Sequence, residues 1–121
     1  MDKTQFISGV LDKYDKRLLE GRLTAEGNVC GCLLQDLTYY DDCNLEQKDF
    51  LTKHGRMLFT LGKKIRDKGF STFDEITLLS NINENTKDKI EEELGGWRQL
   101  QNVMDAVPIK NWEAFLDSLN K

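Results

Sequence analysis

Phe50-Leu51-Thr52-Lys53-His54-Gly55-Arg56-Met57-Leu58-Phe59-Thr60-Leu61-Gly62-Lys63-Lys64-Ile65-Arg66-Asp67-Lys68-Gly69 is the stretch that decides the fold class. Phe50, His54, Leu58, Leu61 and Ile65 follow at steps of four, four, three and four residues, which lines one face of an α-helix. Gly69 is placed to end the run at Lys68. The same period recurs on both sides. Upstream, Phe6, Ile7, Val10, Leu11, Tyr14 and Leu18 predict an amphipathic helix with Thr4 as its N-cap and a stop at Gly21. Residues 25–35 predict a second, with Ala25, Val29, Cys32 and Leu33 inward and Cys30 and Leu34 widening the stripe. Residues 37–44 read as a connector or a short helical turn.

Downstream, a short helix follows Ser71-Thr72-Phe73-Asp74, where Thr72 with Glu75 has capping-box spacing and Asp74 is an equally good cap. A polar turn at 81–85 leads into a charged helix over 86–94 with Ile90 and Leu94 facing in. Gly95-Gly96 is expected to be a structural turn. Trp97, Leu100, Val103, Met104 and Val107 then share a helix face, closed by Pro108, which pushes its predecessor out of helical geometry. From Asn111 the last helix carries Trp112, Phe115, Leu116 and Leu119 at helical spacing. No segment alternates as a strand would. The expected fold is all-α, a compact orthogonal bundle of about six or seven short helices. Residues 1–22 are expected to form an N-terminal amphipathic helix and 23–121 the main domain.

The chain has 121 residues, enough for one domain with a real core. Its 17 basic and 21 acidic side chains leave a net charge of −4, which disfavours direct DNA binding by phosphate neutralisation. Apolar runs fall far short of the roughly 20 residues that cross a bilayer, so no membrane contact is expected. Met1-Asp2-Lys3-Thr4-Gln5 lacks the form of a secretory leader, and a cytoplasmic location is expected. With three cysteines and no leader, reduced thiols are expected.

Few constellations offer chemistry. Cys30, Cys32, Cys43 and His54 count to four zinc ligands. However, structural sites pair ligands two to four residues apart, whereas Cys30 and Cys32 diverge by about 200° on a helix. Gly62-Lys63-Lys64 lacks the glycine (Met57 stands there) and the Ser or Thr (Lys64 stands there) that a phosphate-binding loop needs. No catalytic residue, metal ligand or cofactor-binding residue is assigned. Lys53, Arg56, Lys63, Lys64, Arg66 and Lys68 make one helix basic, and Glu91, Glu92 and Glu93 make another acidic. These are two solvated faces or a device for steering a partner. Trp112, Phe115, Leu116 and Leu119 either seal the core or form a partner or oligomer interface.

Five elements in order resemble the N-terminal domain of DnaB-type replicative DNA helicases. Residues 25–36, Ala-Glu-Gly-Asn-Val-Cys-Gly-Cys-Leu-Leu-Gln-Asp, resemble the family's opening helix. Lys48-Asp49-Phe50 with His54, Arg56 and Phe59 resembles its DF…H…F segment. Gly69, Asp74, Thr77 and Leu78 resemble its G…D…TL stretch, and Gly95-Gly96-Trp97-Arg98-Gln99-Leu100 its GG element. Residues 111–119 resemble the start of the helix that follows. The resemblance covers 24–119 and leaves the Phe6–Leu18 helix without a counterpart. It also implies that the family's helical hairpin is truncated or incomplete at Lys121.

The resemblance implies a collar domain that self-associates, as a dimer and, in the full-length protein, a hexamer, and that docks primase and a helicase loader. ATP and Mg would belong only to a separate motor domain, so no catalysis is expected of this chain. Two alternatives are the helicase-binding domain of a primase and a free-standing modulator that mimics the collar.

Overall fold

The computed structural model describes residues 16–120. Among them are seven α-helices: α1 (Lys16–Gln35), α2 (Tyr39–Cys43), α3 (Lys53–Asp67), α4 (Glu75–Ser80), α5 (Glu84–Glu93), α6 (Gly96–Ala106) and α7 (Trp112–Asn120). Two 3-10 turns, Gln47–Asp49 and Ile109–Asn111, lead towards α3 and α7. No strand occurs among the described residues, so the fold is an all-α bundle. α1 is its axis: α3, α6 and α7 all pack directly on it, and α5 packs on α6.

The core follows from that arrangement. Val29, Cys30, Cys32, Leu33, Leu34 and Leu37 have no exposed surface. A central helix surrounded by others buries more than one stripe, which explains a nearly continuous apolar run from Val29 to Leu34. From α3 come Leu58, Phe59, Leu61 and Ile65, and Leu78, Ile90, Leu100 and Leu119 close the other sides. Each such side chain contributes roughly 1.5–3 kcal/mol when fully buried. Phe50, Phe59 and Tyr40 form an aromatic chain, with ring centroids 4.8 Å apart for the first pair and 5.3 Å for the second.

Two local expectations are corrected, and one choice between two stated caps is decided. α1 does not stop at Gly21 but runs through both Gly21 and Gly27. A glycine inside a helix costs only about 1 kcal/mol, which the packing of residues 29–34 outweighs. The boundary between 22 and 23 therefore falls inside α1, and the part of the Phe6–Leu18 helix before Lys16 lies outside the described residues.

The helix read from Phe50 begins at Lys53 instead. Thr52 is its N-cap, extended at φ −89° and ψ 148°, and its hydroxyl accepts from Gly55 N at 3.0 Å. Phe50 is buried from an extended segment, and His54, in the first turn, is exposed rather than part of the inward face. At the start of α4, Asp74 caps rather than Thr72: its Oδ1 accepts from Thr77 N at 2.8 Å. That bond holds the Asp74 carboxyl below its ordinary pKa.

Gly95 and Gly96 make the sharp turn between α5 and α6, with φ of 80° and 79°. Glycine is needed at Gly96 twice over. Its backbone is left-handed, and a Cβ there would lie 2.9 Å from Glu91 Oε2.

Candidate functional site

α3 carries two different faces. The face turned to α1 contains Gly55, Leu58, Phe59, Gly62 and Ile65, all buried. At its upper end stands Glu26 of α1, a carboxylate with 0% exposure. Glu26 accepts from Arg22 Nε at 2.7 Å, Leu51 N at 2.8 Å, Thr52 N at 3.1 Å and Thr52 Oγ1 at 2.6 Å. It thereby neutralises a partly buried cation and satisfies donors at the entry to α3, where the helix dipole favours negative charge. Arg22 donates onward to Leu119 O at 2.8 Å and Asp49 O at 2.5 Å. One ion pair on α1 thus ties together the 3-10 turn, the start of α3 and the end of α7.

Both glycines of this face are close-approach residues. A methyl group at Gly55 would overlap Glu26 Oε1, and one at Gly62 would overlap the Tyr40 hydroxyl and lie 2.7 Å from Leu34 Cδ2. Tyr40 Oη donates to Phe59 O at 2.9 Å, and burial pushes its pKa well up. These contacts build a rigid frame without a reactive group.

The second face of α3 looks towards α5 across an open groove of about 410 Å³. Met57, Leu61, Ile90 and Leu94 supply apolar lining, and Lys53, Arg56, Lys64 and Lys89 supply four cations. Lys53 Nζ is engaged by Glu93 Oε1 at 3.0 Å. Arg56, Lys64 and Lys89 have no ion-pair partner among the described residues. Arg56 Nη2 is buried and has no hydrogen-bond partner among them.

The residues singled out in the sequence fall as follows. Leu119 is buried at 4% exposure, while Trp112, Phe115 and Leu116 are half-buried. Trp112 and Phe115 pack on the core, and the Trp112 ring lies 5.2 Å from that of Tyr39. The stripe thus faces α1 and keeps only its edges outside. Cys30, Cys32 and Cys43 are buried free thiols. Burial, then the charge of Glu26, raises the Cys30 pKa; burial alone takes Cys32 to about 11. Cys30 Sγ donates to Gly55 O at 3.6 Å. No group of three or more His, Cys, Asp or Glu residues that could hold a metal occurs among the described residues. Gly62, Lys63 and Lys64 lie inside α3, not in a loop.

Neither the Arg22–Glu26 clamp nor the groove was singled out in the sequence. Two signals pointed to the clamp. Arg22 and Glu26 are four apart on a helix, and Gly55 and Gly62 are seven apart inside one, so both glycines share a face. The groove had only a partial signal, the basic run holding Lys53, Arg56 and Lys64, because its other wall comes from α5.

Among the described residues no helix is long and apolar enough to cross a membrane. Searches of curated proteins and of solved structures returned no match. A family model described as DnaB-like helicase N terminal domain matches residues 19–121, and this helical bundle, wound about α1 from near its start, belongs to that family.

Proposed function

We propose that this domain is the assembly and docking collar of a hexameric replicative DNA helicase, self-associating and receiving primase and the helicase loader. The match to the family over residues 19–121 carries the reading. In this reading ATP and Mg are handled by a separate motor domain, the collar works in the cytoplasm, and it acts through binding energy alone. Two features support an association role. Ile76 is 79% exposed and Leu79 45%, three residues apart on α4, with Phe70 exposed nearby in sequence. The half-exposed edges of Trp112, Phe115 and Leu116 offer further apolar area beside the sealed Leu119. Gly95 and Gly96 serve as the turn that aims α6.

Size-exclusion chromatography with light scattering, from micromolar to millimolar protein and with or without the cognate primase, tests the proposal. A mass that rises with concentration, and a complex with primase, is the expected result. A strict monomer that ignores primase at every concentration overturns it.

A further inference from the structure

Charge and apolar surface coincide in the groove between α3 and α5, where half-buried Met57 and the outer edges of the core residues Leu61, Ile90 and Leu94 meet the cations. The groove is of ligand-pocket size, within the range of about 300–1,000 Å³. Its hydrocarbon comes from Met57, Leu61, Ile90 and Leu94, and Arg56, Lys64 and Lys89 stand around it without acidic partners among the described residues. Arg56 Nη2 is the one buried side-chain nitrogen or oxygen among those residues that lacks a hydrogen-bond partner. A buried guanidinium donor in that state favours an incoming acceptor, most of all an ionised one.

We propose that this groove docks a short acidic segment of a partner protein, its aliphatic side chains on Met57, Leu61, Ile90 and Leu94 and its carboxylates on Arg56, Lys64 and Lys89. The chemistry of the lining selects that class. A small inorganic anion would satisfy Arg56 but leave the exposed part of Met57 and the apolar floor of the groove uncovered. A nucleic-acid backbone would meet the cations but place no hydrocarbon on Met57, Leu61, Ile90 and Leu94. A segment whose carboxylates sit beside Leu or Ile residues matches both parts at once. The partner protein as its source rests on the docking role proposed above; the preference of the groove for acidic aliphatic peptides does not.

The test uses the whole chain with labelled Met, Ile and Leu methyl groups, titrated with three 12-residue peptides. All share the same Leu and Ile positions; their polar positions are Asp/Glu, Asn/Gln or Lys. The acidic peptide is expected to shift Met57, Leu61, Ile90 and Leu94 and to bind at least tenfold more tightly than the amide peptide, with the lysine peptide not bound. Arg56→Gln with Lys64→Gln should remove that tenfold preference while the spectrum elsewhere is unchanged. Equal binding of the acidic and amide peptides overturns the proposal, as do shifts confined to other methyl groups. Phosphate moving the Met57 methyl signal while no peptide binds makes the groove a small-anion site. Groove shifts that grow with protein concentration alone make a second copy of the chain the occupant; both results overturn it. Failure here leaves the light-scattering result untouched, so the two readings stand or fall separately.

Discussion

The two sides of α3 show what the same helix does when its polar groups are finished and when they are not. Towards α1, Glu26 accepts four hydrogen bonds and Arg22 gives three, and glycines let the surfaces close to contact. Towards α5, Arg56 keeps a buried donor without a partner among the described residues, and the surfaces stand apart around an open groove. A satisfied buried network rigidifies; an unsatisfied one costs free energy unless something arrives to complete it. The first face therefore reads as the frame of the domain and the second as a surface made to receive.

The sharpest way to break that contrast is to damage the frame. Glu26→Ala leaves Arg22 and the start of α3 without their acceptor, and should cost about 3–5 kcal/mol, the scale for opening a buried ion pair. Denaturant unfolding measures it, and a loss under 1 kcal/mol would mean that the clamp is no frame. Next, Gly62→Ala should cost about 1–3 kcal/mol by overpacking against Tyr40 and Leu34. Tyr40→Phe removes the hydroxyl the new methyl group would strike. The double variant should therefore lose less than the sum of the single losses, and strict additivity would contradict the close approach.

Phe115→Lys divides the remaining question about α7. Loss of self-association with the thermal midpoint held within a few degrees puts the exposed edge of Phe115 in an interface; global unfolding puts the ring in the core alone. On the receiving face, Arg56→Met removes the unpaired buried donor and should leave stability unchanged or raise it by about 1 kcal/mol. A clear loss would make Arg56 a second Arg22.

The smallest effect lies at the surface pair Asp41–Arg66, joined at 2.5 Å and 3.1 Å. The hydrogen bond and charge of Arg66 hold the Asp41 carboxyl below its ordinary value of 3.8. Because the folded value lies below the unfolded one, the contribution is complete above the unfolded value and fades as pH falls through the lowered one. Carboxyl NMR titration should show the Asp41 midpoint rising in Arg66→Gln.

How much of this was legible varied with the range of the interaction. The helix expected over 86–94, which runs Glu84–Glu93, the turn at Gly95-Gly96 and the end before Pro108 were readable to within two residues, because caps, breakers and apolar period act within a few residues. The start of α3 was misread by three residues. Phe50 and His54 fit the period, but the cap at Thr52 depends on Glu26, which lies 26 residues earlier. The stop expected at Gly21 failed for a related reason: local propensity is worth about 1 kcal/mol, and tertiary packing overrode it.

By itself, the sequence determined the all-α class, most helix limits and, through five ordered motifs, the family to which the chain belongs. Tertiary structure alone decided which residues are frame and which are surface. It turned the Trp112 stripe towards the core, gave Glu26 its three donors from Leu51 and Thr52 and set three cations of α3 beside Lys89 of α5. The physical reason is that helix period and capping are properties of neighbours along the chain. A clamp or a groove is made of groups that only packing brings within a few ångströms.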